Sequence, residues 1–275
     1  MPRQKKRNRK RGRGLLLAAL FIGVGWCVLA YYSQVSAAKQ APAPAAGVRE
    51  DMDPLPAAAS VSGVNPILQN PELPSGCEVT ALTMLLNYRG FSVSKEVLAS
   101  DYLPYDNDIY YVNGTRYAAN PWRTFVGEPH TQRFGCYAPV VVKTANRFLA
   151  EQGSGLQAVD LTGAGIEACY EKVARGEPVL VWATIGLADP ESLTQYGWID
   201  KESGKWFHWV TGEHCYVLTG YTPATVSVCD PLEGEMVYNR ALFEQRYEAL
   251  YCQAVSIEPG AGSSGDKLAG APAAP

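Results

Sequence analysis

Histidine is scarce in this chain: three residues in 275, at positions 130, 208 and 214. No His-Glu-x-x-His run and no Cys-x-x-Cys pair accompanies them, so the usual zinc-site spacings are missing. Also missing are a phosphate loop and a dinucleotide fingerprint opening a helix. The sequence therefore implies no metal and no cofactor. Acidic residues are absent from positions 1–13, which hold eight of the 24 Lys and Arg. Beyond that tip, 16 basic residues face 27 acidic ones, a net charge of −11. Nucleic-acid binding needs clustered cations to neutralise phosphate, so an acidic body argues against nucleic acid as a partner.

Charge of either sign disappears from Gly14 to Ala38. Leu15 to Tyr32 gives eighteen residues with Trp and Tyr near the ends, close to the ~20 needed to cross hydrocarbon. Residues 14–36 read as a transmembrane signal anchor behind a basic cytoplasmic tip, 1–13. A cleaved signal peptide is the rival, because Val35-Ser36-Ala37 resembles a small-residue cleavage site. Lys and Arg favour the cytoplasmic side. Both readings thus place the body outside the cytoplasm, held at the cell membrane or secreted.

Residues 37–61 are rich in Ala and Pro and read as a semi-extended linker; residues 259–275 are too poor in apolar groups to order themselves. One domain of residues 62–258 remains, without internal repeats. Helical spacing marks Cys77 to Tyr88, then 138–151 and 163–175. Strand-like runs follow at 156–161, 178–185, 215–221, 225–230, 235–239 and 251–258. Helices first and mostly antiparallel strands later make an α+β pattern. The stretch 101–134 is a long loop with Tyr105, Tyr110, Tyr111, Trp122 and Phe125, placed either along a cleft or over the helical half.

What is present is thiol chemistry. Cys77 stands behind a Pro-Ser-Gly turn at the head of an apolar helix. Unpaired N–H groups and the helix dipole there favour a thiolate, whereas a purely structural Cys has no need of that position. His214 opens one strand and Asp230 closes the next, so a hairpin sets them nearly opposite. An Asp beside a His fixes its tautomer and stabilises imidazolium; a surface His with an unrelated Asp-Pro turn is the plain alternative. Gln69 lies eight residues before Cys77, and its amide with the Cys77 N–H could bind an oxyanion.

The order Gln69, Cys77, His214, Asp230 resembles a papain-like cysteine peptidase. The phrases LPSGCEVTALTMLLNYRGF, FVGEP, GEPVLVWAT and HCYVLTGY…VCDP are similar to the bacterial branch related to the bacteriocin-leader peptidases, family thirty-nine-like, over roughly residues 64–255. The resemblance implies a helical half, with the Cys helix packed against an antiparallel β-sheet carrying the His. It implies Cys77 as nucleophile, His214 as base, Asp230 as orienter and Gln69 as oxyanion donor, acting on a peptide or protein substrate. Bacteriocin exporters add membrane-spanning and ATP-binding domains that this chain lacks, so double-glycine specificity is not carried over. Transpeptidase or amidase action on cell-wall peptides, and a silent peptide-binding module, are the alternatives. Cys215 and Cys229 flank His214 and Asp230 and read as two buried thiols rather than a cross-strand disulfide, whose geometry is demanding.

The topology is testable in intact cells. Protease added outside should digest the body and leave a short protected N-terminal fragment; a mature N-terminus at Ala38 would replace anchoring by cleavage, and full protection of the body contradicts export.

Overall fold

A computed structural model describes residues 54–190 and 196–260. The basic tip, the charge-free span 14–36, most of the expected linker and residues 261–275 lie outside the described residues. Among those described, no helix is long and apolar enough to cross a membrane.

The first strand, β1 (Ala59–Ser60), precedes a loop that leads into helix α1 (Cys77–Tyr88). Gly76 lies immediately before α1, and a β-carbon there would sit 2.6 Å from Leu73 Cβ. Only the smallest residue lets the turn close this tightly. Ten successive residues of α1, Cys77 to Leu86, are buried, as befits a helix that is apolar all round. Gly90, at φ +91°, ends it in the left-handed conformation that suits glycine. A short helix α2 (Lys95–Val97) follows, capped by Ser94 accepting from the Val97 N–H. Helix α3 (Ala138–Glu151) starts with Pro in its first turn, where a missing N–H costs nothing.

Seven antiparallel strands make the main sheet. Its order is β12 (Gly234–Asn239), β11 (Thr225–Asp230), β10 (Glu213–Tyr221), β7 (Val179–Thr184), β13 (Ala254–Pro259) and β6 (Leu156–Asp160), with β1 paired to the end of β10. Alternation along the central strands divides the core in two. Leu180, Trp182, Cys215 and Val217 join the core that contains α1 and α3. Val181, Ala183, Tyr216 and Leu218 join the core of helices α4 (Ile166–Ala174) and α5 (Arg240–Ala249). The α+β expectation holds, with helices covering both faces of an antiparallel sheet.

Three expectations need correction. Ala59 and Ser60 pair with Tyr221 and Gly220, and Tyr221 donates its hydroxyl to the Pro56 carbonyl. The folded unit thus begins before residue 62, inside the Ala/Pro-rich segment, because β10 offers an edge there. The 101–134 stretch is no plain loop. It contains β2 (Tyr105–Asp106), β3 (Tyr110–Val112), β4 (Thr115–Ala118) and β5 (Phe125–Val126). Strands β3 and β4 join β8 (Tyr196–Asp200) and β9 (Trp206–Trp209) in a second, four-stranded sheet. Phe125 is buried and Trp122 packs on Tyr137, while Tyr105, Tyr110 and Tyr111 are exposed. Third, α5 was not foreseen; the Asn239 side chain starts it by accepting from the Leu242 N–H.

A chain starting at residue 62 loses the β1 ladder, the Val61–Thr219 backbone bond and the Pro56–Tyr221 contact. Compared with one starting at 55, its thermal midpoint should fall, by about 2–4 °C for each ~1 kcal/mol lost in a domain of this size. Equal midpoints would make β1 dispensable.

Candidate active site

Cys77 is the first residue of α1 and is buried, with 6% of its surface exposed. Helix α1 packs on β10 and β7, so the thiol lies against the strand that carries His214. Position at a helix N-terminus favours thiolate, but two nearby carboxyls oppose it. The Cys77 thiol donates to Glu78 Oε2 at 3.3 Å. Burial first, then the charges of Glu78 and Glu213, push it well above the usual thiol range. The resting group is therefore a protonated thiol, contrary to the lowered pKa expected from the helix end alone.

Glu78 and Glu213 were missed by the sequence reading. Glu78 is fully buried and its Oε1 accepts the Cys136 N–H at 2.6 Å. Glu213 is buried with Oε1 unpartnered. A β-carbon on Gly135 would meet an oxygen of each, so the two carboxyls converge on the same side of that backbone. Burial pushes Glu78 up to about 7, against the pull of the Cys136 amide. Burial and then the Glu78 charge push Glu213 well above the usual carboxylate range. Two carboxyls so close cannot both ionise cheaply, so the pair retains a proton at neutral pH. The available signals were adjacency to Cys77 and to His214; neither marks a Glu as buried.

His214 Nε2 lies 2.7 Å from Asp230 Oδ1, and both side chains are 2% exposed. The register differs from direct opposition. Val217 pairs with Cys229, which sets Asp230 across from Tyr216, so His214 and Asp230 meet on a diagonal of the ladder. Tyr216 packs edge-on against the His214 ring at 4.6 Å. Burial alone would raise the Asp230 carboxyl. The His214 hydrogen bond and charge, the Leu232 N–H at 2.7 Å and the Tyr238 hydroxyl outweigh burial and hold it below the usual range. Asp230 is thus ionised beside the His214 ring.

Gln69 is buried, and its Nε2 donates to the Pro74 carbonyl at 3.0 Å. Its backbone N–H donates to the Pro231 carbonyl, next to Asp230. Lys95 Nζ donates to the carbonyls of Leu68 and Gln69 and to Glu72. These bonds tie the Gln69 loop to both the Cys77 turn and the Asp230 turn. The structure so brings His214 to Asp230 and Gln69 to the Cys77 loop. It leaves the Cys77 hydrogen bond with Glu78 rather than His214.

His130 and His208 are exposed. Trp209 is buried and stacks on Tyr137 at 5.6 Å, supporting the segment that donates to Glu78. All six described cysteines are free thiols, Cys215 and Cys229 among them. One group among the described residues, Cys77, Glu78 and Glu213, offers candidate metal-ligand atoms within 4.8 Å of one another. A cation would need the thiol and the carboxyl pair deprotonated, and burial holds those protons in place.

Comparison with known proteins gives one family. Residues 61–255 match the family described as "Peptidase_C39 like family". The chain is 29% identical over 190 residues to "Uncharacterized protein YvpB" of Bacillus subtilis (strain 168), covering 68% of this chain and 71% of that protein. A crystal structure described as a C39-like peptidase from Bacillus anthracis is 32% identical, with TM-score 0.64, over 73% of this chain and 96% of that one. A double glycine motif protease from an AMS/PCAT transporter, solved with its leader peptide, is 17% identical with TM-score 0.35, over 73% and 98% of the two chains.

Replacing Glu78 by Gln keeps the shape and removes the charge beside the thiol. Alkylation of Cys77 by iodoacetamide at pH 7 should then accelerate, roughly tenfold for each pKa unit by which the thiol falls. Slower alkylation would make Glu78 the proton acceptor instead. Stability has a sign of its own. Folded Glu78 keeps its proton to about 7, against 4.5 for a free Glu. Its contribution is complete below 4.5 and lost as pH rises through 7. The thermal midpoint should fall across that window, and more shallowly in Glu78→Gln.

Proposed function

Because the chain belongs to the peptidase C39-like family, we propose that it is a cysteine peptidase in which Cys77 attacks a peptide carbonyl with His214 as the base. The observation that carries this reading is the buried His214–Asp230 hydrogen bond of 2.7 Å on the strands against which the Cys77 helix packs. Asp230 holds Nε2, which leaves Nδ1 of His214 to exchange the proton. In the resting state the thiol is bonded to Glu78. Rotation about the Cys77 Cα–Cβ bond exchanges the sulfur between that partner and His214, and a bound substrate holds it at His214.

Each step then has a residue. His214 Nδ1 takes the thiol proton, and sulfur bonds to the carbonyl carbon as its π pair moves to oxygen. The Cys77 N–H and the second N–H of Gln69 Nε2 stabilise that oxyanion. His214 returns the proton to the departing amine, and a thioester remains. Water, deprotonated by His214, then releases the acid and restores the thiol. The basic tip and charge-free span before the domain support an enzyme that works outside the cytoplasm, anchored or released, on peptide substrates.

Alkylation and hydrolysis separate the roles. Alkylation needs a thiolate but forms no tetrahedral oxyanion; hydrolysis needs both. His214→Ala should slow alkylation of Cys77 at neutral pH and abolish cleavage of a peptide library followed by mass spectrometry. Gln69→Ala should leave alkylation nearly unchanged and lower kcat by roughly 10²–10³. Asp230→Asn should fall between. Circular dichroism first establishes that each variant folds. Full cleavage by His214→Ala, or none by the wild-type chain on any peptide, contradicts the reading.

A further inference from the structure

Arg116 carries an unusual load for a surface arginine. Its guanidinium lies 5.5, 5.2 and 5.2 Å from the ring centres of Tyr111, Phe134 and Tyr196. Its Nε donates to the Tyr111 hydroxyl at 2.8 Å. Aromatic faces on three sides fix the plane of the group and attract its charge. Yet among the described residues no carboxylate pairs with it. Arg89, Arg123, Arg147 and Arg240 all have acidic partners within 4.0 Å. Asp106 and Asp108, which precede the strand Tyr110–Val112, are held by Lys201 at 2.8 and 3.0 Å.

Arg116 also borders a cavity of about 360 Å³, whose lining includes Gln132, Arg133 and the three aromatic residues. Arg133 is exposed and, like Arg116, has no ion-pair partner among the described residues. Its base is fixed. The Arg133 N–H donates to Ser75 Oγ at 2.8 Å, and Ser75 Oγ donates back to the Arg133 carbonyl at 3.3 Å. Gly127 packs so closely beneath Arg133 that a β-carbon there would collide with its side chain. Ser75 is two residues from Cys77, so one residue of the cavity wall, Arg133, is hydrogen-bonded to the loop that leads into the Cys77 helix.

Two unpaired guanidinium groups at one cavity, in a body of net charge −11, are matched by a planar anion that both can grip. We propose that this cavity is a subsite for a carboxylate on the bound peptide, near the bond that Cys77 attacks; the inference rests on the peptidase reading for its substrate class. Arg116, already oriented by its rings, sets the direction of the carboxylate, and Arg133 closes over it from the Ser75 side. Exposed Tyr105, Tyr110 and Trp206 supply aromatic surface around the second sheet for neighbouring peptide residues. An acidic side chain and a peptide C-terminus present the same two oxygens, and the test below separates them.

The test uses the full chain and randomised octapeptides in matched sets: Glu or Gln fixed at one internal position, and C-terminal acid or amide. For the wild type, kcat/KM should be about 5–20-fold higher for the set carrying the matching carboxylate, through KM, and the preference should shrink in 0.5 M NaCl. An internal-Glu preference identifies a side chain; an acid-over-amide preference identifies a C-terminus. Arg133→Gln, which leaves the aromatic cage intact, should erase the preference while neutral peptides are cleaved as before, and Arg116→Gln should do the same. Calorimetric binding of the same sets to Cys77→Ala keeps the question open to an answer without turnover. Carboxylate-dependent binding that needs both arginines upholds the subsite even if no peptide is cleaved. Cleavage or binding indifferent to carboxylate, or binding of no peptide at all, overturns it, and in the first case the peptidase reading survives.

Discussion

Burial of helix α1 against strand β10 is the constraint on which the site depends. Ten consecutive residues of α1 lie in the core, so the helix cannot slide or rotate without opening the protein. Its first residue is consequently held against the strand that begins Glu213-His214-Cys215. The same fixity that positions Cys77 also buries Glu78. One packing decision thus places both the Cys77 thiol and the charge that restrains it.

That pairing gives the site two opposed electrostatic influences. The helix end draws the thiol towards its ionised form, while low polarity and two carboxyls keep the proton on sulfur. A buried, protonated thiol is the less reactive state. The imidazole side is settled independently. Asp230 has three partners that favour its charge, His214, Leu232 and Tyr238.

The sequence was most legible where one residue type has one physical use. Helix Ala138–Glu151 and strands Thr225–Asp230 and Leu156–Asp160 follow directly from apolar spacing. Cys77 announced itself by the Pro-Ser-Gly turn, and His214 with Asp230 by their places on neighbouring strands. Tertiary partners were the hidden part. Ala59–Ser60 reads as linker because two small residues have no pattern of their own, and only the free edge of β10 makes them a strand. Glu78 and Glu213 carry no mark of burial, since nothing in the local sequence tells that Gly135 and Cys136 will cover them. The hairpin register departs from direct opposition because the turn already sets Gly220 across from Ser227, and the irregularity between Leu218 and Gly220 brings Asp230 only one residue nearer His214.

The central claim is that the Cys77 sulfur, once a substrate is bound, leaves Glu78 for His214 and forms a thioester. Rapid mixing with excess peptide substrate, acid quenching within a turnover and intact-mass analysis read this directly. The account predicts an acyl adduct mapped to Cys77 in the wild-type chain and in reduced yield in Gln69→Ala, and none in His214→Ala. An adduct of equal yield in His214→Ala, or acylation at any other thiol, would contradict it.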